Sequence, residues 1–180
     1  MSWAKAIDFT LKWEGGYVNN PADKGGPTNR GITLAVFQAA NKSGLINCPD
    51  IKALTKAEAM TIYKARYWEP YGWGNFREPI DEIMFDCTVN SGIGNAAKIA
   101  QRACVSLGRN ITIDGKYGPQ TRAALNYLAA WNGLALAQML LIKRVNFIYA
   151  IVDSRPNQQQ FLRGWLNRVQ ALAKDCGIRL

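Results

Sequence analysis

The chain has 180 residues, 48% of them hydrophobic and 19% charged, an ordinary globular balance without low complexity that argues against disorder and fits one compact domain or two small lobes. Lys and Arg number 22 against 13 Asp and Glu, and the resulting charge of +9 favours an anionic partner, although no dense basic run points to nucleic acid. There is no His, which excludes Ser-His-Asp and Cys-His catalysis and His-ligated zinc, and leaves any chemistry to carboxylates, Tyr, Lys, Ser, Thr or Cys.

The N-terminus carries Asp8 where a secretory leader needs an apolar run, so it is read as the start of the first helix and not as a signal. Ser2 is placed to cap that helix, which extends to about Trp13 with Ile7, Leu11 and Glu14 along one face. Gly15-Gly16 is expected to stop it by taking a left-handed cap. Residues 17–33 are rich in Gly, Pro, Asn and Asp and read as turns with a short hairpin. Helical spacing resumes at Thr33 with Leu34 and Phe37. Thr55 and Glu58 form a capping box for a helix reaching Tyr67. A loop over 69–79 precedes a helix from Ile80 to Ser91, ended by Gly92-Ile93-Gly94, the best internal boundary. Asn95 is expected to cap the next helix, which runs to Leu107. Turns at Gly108-Arg109-Asn110 and at Asp114 to Pro119 follow. Helices are then expected over Thr121 to Leu128, Gly133 to Ile151 and, after Pro156, Phe161 to Cys176.

The chain is therefore mainly α. The longest apolar stretch, near Leu134 to Ile142, contains Gln138 and falls short of a membrane span. Cys48, Cys87, Cys104 and Cys176 are widely separated, with no CxxC, and read as small buried thiols rather than as metal ligands. No metal and no cofactor is called for.

Glu14 is the first candidate for chemistry. Burial disfavours the charged form of a carboxyl on an apolar helix face, and the negative helix end repels it, which suits an acid that delivers a proton. A glycosidase needs such an acid for its leaving oxygen. The competing reading is a helix-terminal Glu that reaches solvent. Asp23 lies nine positions on, with Thr28 beyond it, and the Gly-rich stretch between allows a tight reversal. Asp23 reads equally as an ordinary turn residue. The layout resembles phage-type lysozymes, where an acid ending a helix faces an Asp and a nearby Thr. Thr28 stands one residue closer to its Asp than in those enzymes.

The longer string Trp13-Glu14-Gly15-Gly16-Tyr17, Asp23, Gly25-Gly26, Thr28 and Gly31-Ile32-Thr33 resembles the signature of glycoside hydrolase family 108. The likeness continues through Tyr67-Trp68, Phe85-Asp86 and Asn90-Ser91-Gly92. Asp114-Gly115-Lys116-Tyr117-Gly118-Pro119-Gln120-Thr121 resembles the family's C-terminal peptidoglycan-binding lobe, and Gly164-Trp165-Leu166-Asn167-Arg168 its closing helix.

The resemblance implies a lysozyme-like helical fold with a catalytic lobe over residues 1–92 and a helical peptidoglycan-binding lobe over 93–180. It implies an N-acetylmuramidase with Glu14 as catalytic acid and Asp23 and Thr28 in support, and no cofactor. Members serve phage lysis cassettes and bacterial secretion systems, so the implied task is to open the wall for a toxin or other cargo. A lytic transglycosylase and a non-catalytic peptidoglycan-binding module stay open as alternatives. Peptidoglycan is the expected partner, with no nucleic acid and no membrane insertion. The expected form is a monomer made in the cytoplasm and acting at the wall in the periplasm.

Flat aromatic faces pack on sugar rings while their polar tips bond hydroxyls. Tyr17, Tyr67, Trp68, Tyr71 and Trp73 are candidate sugar contacts, with Tyr71 and Trp73 expected to be exposed in their Pro/Gly loop. Asp86 and Asn90, one turn apart, and Tyr117 complete the candidate binding set. Arg102, Arg122, Lys143 and Arg144 are available to meet wall carboxylates. The second lobe, with Tyr117, Arg122 and Arg144, is expected to select the wall site.

Overall fold

The computed structural model describes residues 2–19 and 26–180. The chain is mainly helical and divides into two compact units, Trp3–Pro70 and Tyr71–Leu180.

The first unit opens with α1 (Ser2–Trp13), which buries Ala6, Ile7, Phe9 and Thr10. These positions recur at helical spacing and form its inner stripe. The helix ends without a left-handed cap. Neither Gly15 nor Gly16 has a positive φ, and a Cβ at either would meet nothing, so their part in ending α1 is low helix propensity, not cap geometry.

Strands β1 (Thr28–Asn29) and β2 (Ile32–Thr33) pair antiparallel around a two-residue turn, and Val18 bridges the outer side of Thr28. Arg30 (φ 51°) and Gly31 (φ 73°) both take positive φ, as the tight hairpin turn whose twist matches its strands requires. Thr33 then caps α2 (Leu34–Lys42) by accepting from the Val36 amide. The capping box at Thr55 and Glu58 forms as expected and starts α3 (Lys56–Tyr63). Beyond Tyr63 the helix widens into one π-helical stretch, Lys64–Trp68, a form that gathers at functional sites.

The second unit begins with short 3-10 turns, and α4 (Ile80–Ser91) follows. Every residue from Ile80 to Thr88 is buried, because α5 (Ile93–Ser106) and α6 (Pro119–Ser154) both pack on this helix. Helix α4, which precedes the sequence boundary at Gly92–Gly94, packs within the second compact unit. The break between α4 and α5 is a single residue, Gly92, at φ 76°. Helix α5 thus starts two residues before the expected Asn95 cap, and the Asn95 side-chain carboxamide instead donates back to Ser91 O.

The two helices expected over 121–151 both form, joined end to end as α6 across a kink at Asn132, where φ −156° and ψ 83° leave the helical region. The Asn132 carboxamide accepts from the Ala135 amide and restarts the helix. At 36 residues, α6 is long and apolar enough to cross a membrane, contrary to the sequence expectation. Its packing on α4, α5 and α7 (Gln159–Asp175) buries part of that apolar surface, while Trp131, Leu134 and Ile142 stay exposed. Cys48, Cys87 and Cys104 are buried and Cys176 half-buried, all four as free thiols.

Candidate active site

Glu14 follows the last turn of α1 directly, its amide still donating to Thr10 O at 3.2 Å. The half-buried side chain meets the turn of the hairpin. A Cβ built on Gly31 would collide with the Glu14 carboxylate and with the Tyr63 hydroxyl, so these two groups border one spot beside the turn backbone. Glycine is needed there twice over, for its positive φ and for the missing side chain.

The turn is held from behind. Tyr63, 1% exposed at the end of α3, donates its hydroxyl to Arg30 O at 2.9 Å. The buried Asn29 carboxamide donates to Ile51 O at 2.7 Å and to Lys52 O at 3.2 Å, and Arg30 Nε donates to Leu54 O at 3.2 Å. Polar side chains on the hairpin therefore tie it to the 50–54 segment, while its tip meets the acid. Such outer contacts hold a reacting group in one geometry.

Val18 and Thr28 exchange backbone hydrogen bonds of 2.8 and 2.9 Å, closing the ends of the stretch that carries Asp23. Asp23 itself lies outside the described residues. Thr28 sits in β1, paired on both sides, in the same hairpin whose tip meets Glu14. Trp13 and Tyr17 flank Glu14 in the chain and are 38% and 36% exposed. Lys52 Nζ stands 5.4 Å from the Tyr17 ring centre. Tyr67 is half-buried with its ring centre 5.6 Å from that of Tyr63, whereas Trp68 is buried against Trp3 and serves the core.

In the second unit several expected binding residues prove to be core. Trp73 is fully buried, not exposed, because it packs at the centre of an aromatic cluster with Tyr71, Phe76 and Tyr117. Its ring centre lies 4.6 Å from that of Tyr117, and burial pushes the Tyr117 phenol up to about 12. Tyr71 keeps partial exposure beside them.

Asp86 is 1% exposed and ion-paired at 2.7 Å with both Arg144 and Arg168. Burial alone raises such a carboxyl, but the two guanidinium charges outweigh it and hold Asp86 below the usual carboxylate range. Asp86 and Arg144 are therefore structural, and neither meets a ligand at the surface. A helix buried on all sides, as α4 is, can carry a carboxylate only when it is paired. Exposed Asn90 accepts from Arg144 Nη2 at 3.3 Å, which couples its side chain to the same cluster.

The Asp114–Thr121 turn forms around Gln101. The Gln101 carboxamide donates to Asp114 Oδ1 at 2.8 Å and to Thr121 Oγ1 at 3.0 Å, and accepts from the Gly115 amide at 2.9 Å. Sequence reasoning gave no role to Gln101, Arg30 or Asn29. Gln101 shares a helix face with Ala97 and Cys104, a signal of burial with a partner, whereas Asn29 and Arg30 stand in a polar turn that gives no such signal.

Residues 7–92 match the family model described as Glycosyl hydrolase 108, and residues 95–170 match the one described as Predicted Peptidoglycan domain. Among solved structures, that of Brucella abortus SagA is similar, with 30% identity, a TM-score of 0.72, and coverage of 97% of this chain and 92% of that one. No curated protein matches.

Proposed function

Since this chain belongs to the glycosyl hydrolase 108 family and is a glycoside hydrolase of the muramidase type, we propose that it cuts the β-1,4 bond between N-acetylmuramic acid and N-acetylglucosamine with Glu14 as general acid. The observation that carries the residue assignment is the seating of the Glu14 carboxylate against the Gly31 turn and the Tyr63 hydroxyl. A carboxylic acid in a fixed place protonates the leaving glycosidic oxygen as the C–O bond breaks. Water then adds to the sugar carbon and gives up its proton. Asp23 and Thr28 are proposed to support this step, Thr28 from the hairpin whose tip meets the acid. Trp13 and Tyr17 offer sugar-stacking faces beside it. By the family resemblance, the proposal extends to purpose: opening the wall from the periplasmic side so that a toxin or other cargo can cross.

Glu14→Gln preserves shape and removes the acid. Digestion of purified sacculi is expected to fall by about 10²–10⁴-fold while the variant still sediments with them. Undiminished digestion by Glu14→Gln overturns the assignment. Mass spectrometry of products from the unaltered protein is expected to show reducing N-acetylmuramic ends, and anhydro ends would replace hydrolysis with transglycosylation.

A further inference from the structure

Helices α5 and α6 pack along a seam whose outer side is a groove, not a flat surface. Two adjoining openings of about 360 and 350 Å³ lie along it and share Arg102, Phe147 and Ala150. A third, of about 200 Å³, continues the groove past Asn95 and Phe147 to Trp165. The first two volumes fall in the range that holds small ligands or short peptide segments.

The lining is one-signed. Lys98 and Arg102 come from successive turns of α5, Lys143 from α6, and Arg155 from just past its end. No Asp or Glu lines any of the three openings. None of the four cations has a carboxylate partner among the described residues, in contrast to Arg144 and Arg168 in the same unit. Arg144 and Lys143 are chain neighbours with opposite fates: one neutralises Asp86 in the core, and the other turns its charge to the groove. Between the cations, Phe147 and Ala150 make an apolar floor, and Asn95 and Asn146 supply amides.

We infer that this groove binds the carboxylate-bearing peptide stems of peptidoglycan, an inference that rests on the reading of the chain as a peptidoglycan hydrolase. N-acetylated sugars within a strand bear no charge for four cations to meet. The carboxylates of the polymer sit on the stems, beside alanine methyls that match the apolar floor. All four cations fall within residues 95–170, the stretch that matches the peptidoglycan domain. A basic groove also gathers anionic ligands by focusing its field. Duplex DNA offers regular phosphates but nothing for the floor, and is the less complementary partner.

The test uses the whole chain and the free stem tetrapeptide L-Ala-γ-D-Glu-diaminopimelate-D-Ala, measured by calorimetry. This probe holds no glycosidic bond, so its binding and the Glu14 assignment fail independently. The unaltered protein is expected to bind it, and to bind a stem with amidated carboxylates at least about tenfold less tightly. Arg102→Glu with Lys143→Glu is expected to weaken stem binding by a similar factor, and the neutral pair Arg102→Gln with Lys143→Gln by less. Both are surface changes, and an unchanged Tm verifies the fold. Arg163→Glu with Lys174→Glu makes the same charge change on α7, outside the groove, and is expected to bind as before. Three results overturn the inference: equal losses in the α7 control, unaltered binding in both groove variants, or binding of duplex DNA or anionic vesicles through these residues without binding of the stem.

Discussion

Asp86 shows how one residue changes meaning between sequence and structure. One turn before Asn90 and inside a family-like string, it reads as a binding residue. In the fold it is buried and ion-paired with two arginines. Removing a buried partner costs more than the pair contributes, because it leaves charge without compensation. Asp86→Asn is expected to lower unfolding free energy by about 3–5 kcal/mol in denaturant titrations at neutral pH. The pH dependence has a definite sign. Because the folded carboxyl titrates below its unfolded value, its contribution is complete above the ordinary carboxylate range, near pH 4. It is lost as pH falls further, through the folded value. Asp86→Asn should remove this part of the acid sensitivity, and an unchanged acid profile would show that other carboxylates carry it.

The hairpin is the element on which the candidate site depends. Its two-residue strands are too short to be stable alone, and the side chains of Asn29 and Arg30 tie it to the 50–54 segment. Gly31→Ala tests whether the turn positions the acid. A positive φ with a Cβ costs about 1–2 kcal/mol, and here the methyl also displaces the Glu14 carboxylate and Tyr63 hydroxyl. Gly26 is the natural control, since it has φ 70° but open space around its Cβ position. Gly26→Ala should lose stability while keeping its rate on sacculi. Gly31→Ala should lose at least about tenfold in rate as well, at temperatures where both variants are folded. Equal rates in the two would detach the turn from catalysis. The Asp114–Thr121 turn has the same logic in the second unit, with Gln101 as its buried anchor.

At the scale of the whole molecule, the four cysteines are dispersed as free thiols, so no cross-link holds the fold. Burial pushes Cys87 and Cys104 each up to about 11, which keeps them protonated and unreactive near neutral pH. A thiol reagent added to the native protein is expected to label half-buried Cys176 first and the other three only on unfolding. Rapid labelling of more than one site would contradict the packing, and a Tm that falls on reduction would reveal a cross-link.

Much of this protein was readable from its residues alone. The capping box at Thr55, the ends of α4 and the position of the hairpin depend on near neighbours, so the spacing of caps, glycines and apolar residues suffices. The position of Glu14 at the end of α1 was legible for the same reason. What only the tertiary structure decided concerns residues distant in the chain. Whether Asp86 meets a ligand depends on Arg168, 82 positions away, and whether Trp73 faces solvent depends on Tyr117. The same holds for the cations, since Arg144 goes to the core and Lys143 to the groove although they stand side by side. Periodicity tells which residues share a face of a helix. It does not tell which other helix covers that face, and burial, pairing and ligand access all follow from that choice.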